Sequence, residues 1–187
     1  MSAVTSPQPQ AHPRLDHGDT FTYRGYEFRV SFEHDAFMGE PWKEHDGHGP
    51  VSAWTARDKR PGERILAVDR HHRRYYDVKA ALKIARRDGW GCSCPEGTHQ
   101  TARQRAACAV DRDFEYLRGW CADEWQWTSV DVQQLEAGQP VGERESLGGI
   151  DGDHDGGKYL TEVAYELADQ IIARIEVENP DIIESVN

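Results

Sequence analysis

The stretch FTYRGYEFRVSFE, residues 21–33, decides the fold class of this chain. Tyr26, Phe28, Val30 and Phe32 alternate with Glu27, Arg29, Ser31 and Glu33. A period of two gives a strand with one apolar and one wet face. Arg24-Gly25 supplies a tight turn, so the stretch reads as a β-hairpin. A hairpin is antiparallel, and its apolar face needs a second layer to cover it.

Further along, residues 51–55 read as a short strand, Lys59-Arg60-Pro61-Gly62 as a turn and residues 64–68 as a second strand. The consecutive apolar residues Ile65, Leu66, Ala67 and Val68 predict a central position in the sheet. Asp77 caps a helix running to Asp88, with Val78, Ala81, Leu82 and Ala85 on one face and Gly89 as its stop. Thr101 and Gln104 have the spacing of a capping box. The helix that follows carries Ala107, Val110, Phe114, Leu117 and Cys121 at spacings of three and four. Residues 125–132 form a strand whose apolar parity switches between Trp127 and Val130, the mark of a bulge or of burial on both faces. Gln139-Pro140 breaks that strand, and residues 146–150 read as one more. A last helix over residues 158–176 aligns Leu160, Val163, Leu167, Ile171 and Ile175 in one stripe, and Asn179-Pro180 ends it. The expected fold is α+β: one antiparallel β-sheet with three helices packed mainly on one face. It occupies a single domain over residues 19–178, between disordered tails at 1–18 and 179–187.

A charged fraction of 29% and a hydrophobic fraction of 37% are those of a soluble globular protein. No apolar run reaches the length of a membrane span, and the Pro-rich start lacks the apolar core of a signal peptide. The expected location is the cytoplasm, with no membrane partner. The net charge of -11 is unevenly spread: residues 57–88 hold eleven basic and five acidic side chains, whereas the segment from 144 onward is strongly acidic. Either the basic middle folds against the acidic half, or the charges serve partners: the basic run nucleic acid, or the acidic surface a basic protein. In the nucleic-acid case Lys59, Arg60, Arg73, Arg74, Arg86 and Arg87 would hold phosphates, beside His71, His72, Tyr75 and Tyr76.

Residues 39–52, GEPWKEHDGHGPVS, are rich in turn formers and read as a loop that is neither helix nor strand. Such a loop is a natural place for binding groups, and Trp42, His45, Asp46 and His48 are its candidate partner-binding residues. His45, Asp46 and His48, joined by His34 and Asp35, also have the residue types of a metal or acid–base cluster in a hydrolase or nuclease. The plainer alternative has Trp42 plugging the edge of the core while the His and Asp side chains hydrogen-bond the loop.

The four cysteines are Cys92, Cys94, Cys108 and Cys121. In a reducing cytoplasm they read as free thiols, with Cys121 on the apolar stripe of its helix. Cys92, Cys94, His99 and Cys108 also have the donor types of a zinc (Zn2+) site, although Cys-x-Cys is tighter than the usual structural spacing. Asp151, Asp153, Asp155, Gly156 and Glu162 match a calcium (Ca2+) loop pattern, with Lys158 where an apolar residue is usual. The alternative there is an acidic run complementing the start of the last helix. No phosphate-binding glycine loop, dinucleotide fingerprint, serine elbow or zincin motif is present in the sequence.

Several blocks in order resemble small accessory proteins of tailed bacteriophages and prophages. They are Glu40-Pro41-Trp42 with His45-Asp46-Gly47-His48-Gly49, then Lys59-Arg60-Pro61-Gly62-Glu63, Tyr76-Asp77 and Asp88-Gly89-Trp90. Asp113-Phe114 with Leu117 and Trp120, Trp125-Gln126-Trp127, and Glu145-Ser146-Leu147 leading to Tyr159-Leu160-Thr161-Glu162-Val163 follow. The Arg, Asp and Trp usage is similar to that of actinobacterial phages. One departure is Gly148, which stands where the family pattern has Trp. The resemblance implies phage origin and expression in a bacterial cytoplasm, and it carries no catalytic residues over. The expected function is therefore non-enzymatic: binding of a bacterial host protein, in host takeover or anti-defence, without a cofactor. A metal-dependent hydrolase and a nucleic-acid-binding protein are the alternatives.

Overall fold

A computed structural model of the chain describes residues 12–95, 97–99, 101–152 and 157–178. The fold is α+β, with antiparallel sheets and helices. Where the sequence suggested one domain and one sheet, the chain makes two compact units, each with its own sheet. One unit combines Met1–Asp35 with Trp127–Asn187, and the other is Ala36–Gln126.

The first unit starts with the hairpin read from residues 21–33. Strands β1 (Thr20–Tyr23) and β2 (Tyr26–His34) pair antiparallel, with Tyr23 opposite Tyr26. Arg24 and Gly25 take positive φ values of 50° and 86°, the two-residue turn whose twist matches the strands. Strand β5 (Trp127–Glu136) pairs with β2, and β6 (Gln139–Asp151) pairs with β5, giving the order β1-β2-β5-β6. Register shifts next to Val130, and Val130, Asp131 and Val132 are all buried, which explains the parity switch in the sequence. Gln139-Pro140 does not break the strand pair. The turn is Ala137-Gly138, at φ 49° and 76°, and Pro140 lies inside β6 opposite Leu135. Proline is tolerated there because β6 is an edge strand.

Of the four helices among the described residues, α4 (Lys158–Glu178) covers one face of this sheet. Its Leu160, Val163, Ala164, Leu167 and Ile172 pack with Phe28, Val30, Val130, Val132 and Ile150. The end expected at Asn179-Pro180, and the 179–187 tail, lie outside the described residues. Of the tail expected to be disordered over 1–18, residues 12–18 are described and pack on the unit: the His12 ring stacks on Tyr165, and buried Leu15 donates its N–H to Thr161 Oγ1.

The second unit is inserted between β2 and β5. Its first element is α1 (Pro41–Glu44), a short helix where the sequence suggested none. Pro41 occupies its first turn, where a missing N–H costs nothing. Strands β3 (Glu63–Asp69) and β4 (His72–Asp77) form a hairpin. The expected strand at 51–55 is reduced to two bridges onto β4, Val51 to Tyr76 and Thr55 to Arg73. Nor is β3 central: a bulge after Ile65 turns Leu66 inward and leaves Ile65 42% and Val68 61% exposed. Helices α2 (Val78–Asp88) and α3 (Ala102–Cys121) pack on each other and on β3. Asp77 accepts a hydrogen bond from Ala80 N at the start of α2, and Gly89 ends it in the left-handed conformation, both as read. The core of the unit joins Leu66, Tyr76, Ala81, Ala85, Val110, Phe114 and Leu117.

Ile172 is fully buried between α4 and the sheet. Ile172→Ala should lower unfolding stability by about 2–5 kcal/mol, through lost transfer energy and an unfilled cavity. Urea titration followed by far-UV circular dichroism checks this.

Candidate metal centre

The loop between α2 and α3 gathers four ligand-type side chains. Gly89 (φ 68°) turns the chain out of α2, and Trp90 N donates to Ala85 O at 2.9 Å. Trp90 packs against the core and anchors the loop that carries Cys92 and Cys94. Pro95 O accepts from both Thr98 N and Thr98 Oγ1, closing a turn ahead of His99. The capping box of Thr101 and Gln104 then starts α3, with Cys108 two turns in.

The result is a cluster of Cys92, Cys94, His99 and Cys108 whose ligand atoms all lie within 4.8 Å of one another. Cys92 Sγ is 2.7 Å from both Cys94 Sγ and Cys108 Sγ, and Cys94 Sγ is 3.3 Å from Cys108 Sγ. The cysteines are free thiols, half-buried, and these separations exceed the about 2.05 Å of a disulfide. Tetrahedral zinc, with Zn–S of about 2.3 Å, would hold its sulfurs about 3.8 Å apart, so the sulfurs would move outward from their 2.7 and 3.3 Å separations to admit it. His99 Nε2 is buried without a hydrogen-bond partner. A buried ring nitrogen is costly unless something binds it, and a metal ion among the sulfurs would do so.

Hydrogen bonding with Cys108 and then Cys94 lowers the Cys92 thiol to about 6. The Cys108 thiol is pushed up to about 12 by its hydrogen bond with Cys92. The coupling favours the thiolate at Cys92, the form that metals bind. Three sulfurs and one imidazole are the donor set of a closed, four-coordinate zinc site, and the cluster can hold a metal such as zinc. The residues were visible in the sequence. The sequence offered all four as one possible zinc site, and their meeting depends on the Pro95–Thr98 turn and on how α3 is seated.

The 39–52 segment does something different from what its composition suggests. Trp42 is half-buried, edge-on to Trp120 at 5.5 Å, and Arg74 lies 4.8 Å over its ring. His48 points inward: its Nδ1 is 2.6 Å from Asp113 Oδ1, and its ring is parallel to that of Tyr116. Asp113 also accepts from Gly49 N at 2.7 Å and from Tyr76 OH at 2.6 Å. Burial, then the bond to Asp113, raises the Tyr76 phenol well above its ordinary range. A Cβ at Gly49 would collide with the Tyr76 ring. His45 and Asp46 stay exposed. The proposed trio of His45, Asp46 and His48 therefore does not converge, and the cysteine cluster is the one metal-competent group among the described residues. Asp35 is engaged within the first unit, accepting from Gly149 N at 2.8 Å.

The six basic residues also separate. Arg74 is buried, ion-paired to Glu40 at 2.6 Å and flanked by the Trp42 and Trp54 rings, so it is not a phosphate contact. Burial pushes the Glu40 carboxyl up, but Lys43 and Arg74 more than offset this and hold it below its ordinary value. Arg73 lies 3.8 Å from Asp58, and Arg87 is paired with Asp88 at 2.6 Å. Lys59, Arg60 and Arg86 are exposed. Of the calcium pattern, Asp153 and Asp155 fall outside the described residues. Asp151 ends β6 opposite Trp127, and Glu162 lies 3.7 Å from Lys158 Nζ.

Sequence reasoning assigned no role to Asp113, Glu40 or Trp54, since each acts through a partner far away in the chain. Comparison with protein-family models, curated proteins and solved structures gives no match.

Glu63 ties Arg57 to the β3 hairpin with two hydrogen bonds of 2.8 and 2.6 Å. Those bonds, with one from Arg60 N, lower its carboxyl from 4.5 to about 2. The unfolded chain therefore binds this proton first, and the stabilisation is complete above pH 4.5 and is lost as the pH falls towards 2. Glu63→Gln should flatten the fall in melting temperature across that interval, as read by calorimetry.

Proposed function

We propose that this is a non-enzymatic binding protein whose Ala36–Gln126 unit is held in shape by a structural zinc ion, and that it engages a protein of its bacterial host. The observation that carries the zinc reading is the closed Cys3His set, with its buried, unpartnered His99 Nε2. Four protein ligands leave no open position for substrate or water, which is the mark of a structural rather than a catalytic zinc site. A bound ion would add a restraint on the loop between α2 and α3 to those from Trp90 and the Pro95–Thr98 turn.

The host-protein reading rests on the resemblance to phage accessory proteins. Trp42 and His48 are engaged with Trp120, Arg74, Asp113 and Tyr116, so the reading takes its contact surface elsewhere on the same segment. His45, Asp46 and the fully exposed ring of Phe37 are the more accessible groups. Aromatic side chains of this kind anchor protein interfaces. A hydrolase built on the 39–52 segment has less support, because Asp113 already accepts three hydrogen bonds and holds His48 against Tyr116.

Purified protein should contain one zinc ion per chain by elemental analysis. Cys108→Ser should lose it and melt at a lower temperature, and a chelator should lower the melting temperature of the parent but not of the variant. Zinc-free protein that melts identically with and without added zinc would refute the structural-zinc reading. Crosslinking in host lysate should yield a specific protein that Phe37→Ala or His45→Ala fails to capture. Equal capture by the variants would remove this surface.

A further inference from the structure

Beside the cysteine cluster, the last turn of α2 and the first turns of α3 enclose a cavity of about 520 Å³. Trp90, Ala102 and Ala106 line it together with Arg86, Arg103 and Arg105. No carboxylate lines it among the described residues. The nearby Asp88 is taken up by Arg87. Arg86, Arg103 and Arg105 are exposed and make no ion pair among the described residues. In a chain of net charge -11, three unneutralised guanidinium groups around one indole stand out as a charge complement for an anion.

The shape narrows the ligand. A volume of this size is in the range of small-ligand sites, about 300–1,000 Å³. The indole offers a flat apolar surface and the alanines leave room beside it. The guanidinium groups are planar donors suited to phosphate oxygens. The positive end of the α3 dipole adds to their field. A stacking ring within a cationic groove is how proteins hold single-stranded nucleic acid without reading its sequence.

We propose that this groove binds single-stranded nucleic acid, with a base stacked on Trp90 and backbone phosphates held by Arg86, Arg103 and Arg105. The site differs from the basic residues suggested by the sequence, of which it keeps only Arg86. It rests on the zinc reading in one respect: Trp90 lies two residues before Cys92 and Arg105 three before Cys108, so a bound ion would pin both walls. The competing role for the arginines is to offset the negative charge of a zinc trithiolate.

The test is fluorescence anisotropy of the full chain with labelled oligothymidylate, oligouridylate and a DNA duplex of equal length, over a range of salt. Zinc content and melting temperature are measured on every sample. Both single strands should bind, and the duplex should bind more weakly. Trp90→Ala should weaken binding by about tenfold, the loss of one stacked base, and Trp90→Phe should restore most of it. Arg103→Ala and Arg105→Ala should each lower the slope of log affinity against log salt by about 0.7, with zinc content unchanged. No binding by well-folded protein, equal binding of the duplex, or arginine variants that lose zinc while leaving the salt slope untouched would overturn the proposal. Absence of zinc with intact binding would sink the zinc reading and leave the groove standing.

Discussion

The pairing of β2 with β5 is the constraint on which the architecture depends. Residues 27–34 lie in register with residues 128–135, and all of Ala36–Gln126 is threaded between them. Each doubling of a connecting segment adds only about 0.6 kcal/mol to the cost of closing it. A folded unit can therefore sit between neighbouring strands, provided that the sheet's own face is well covered. Here α4 provides the cover, and Val30, Val130, Val132, Val163 and Ile172 are almost completely buried. Each of the two compact units has its own apolar cluster.

Within the inserted unit, buried polar groups do much of the positioning. Asp113 gathers His48, Gly49 and Tyr76, tying the segment after α1 to β4 and α3. Arg74 gathers Glu40, Trp42 and Trp54 around one guanidinium group. Such arrangements hold well when every member is paired and are costly when one is removed. They absorb most of the residues whose chemistry looked functional in the sequence. A His, an Asp and a Trp in a glycine-rich loop were needed for packing, and the same residue types could have served a site.

The zinc-type cluster and the arginine-lined groove share the same short segment and the same helix start. If an ion holds the first, it also fixes the geometry of the second. A structural centre would thus set the shape of a binding surface, and metal content and ligand binding would be linked through loop geometry rather than through catalysis.

What the sequence determined by itself was local. The turn at Arg24-Gly25, the Asp77 cap and Gly89 stop of α2, the capping box at Thr101 and the stripe of α4 each follow from residues within a turn or two of one another. The α+β class follows from those elements, because a hairpin with an apolar face and an amphipathic helix must bury against each other. Tertiary structure alone decided that the basic run at His72–Asp77 is a strand, because Arg74 can be buried only beside Glu40 and the two indoles. It also decided that His48 serves Asp113 and that three sulfurs and His99 meet at one point. In each case the deciding partner lies outside the local window. A side chain's donor type is written in the sequence, but the burial and the distance that give it a role arise only when the distant partner is in place.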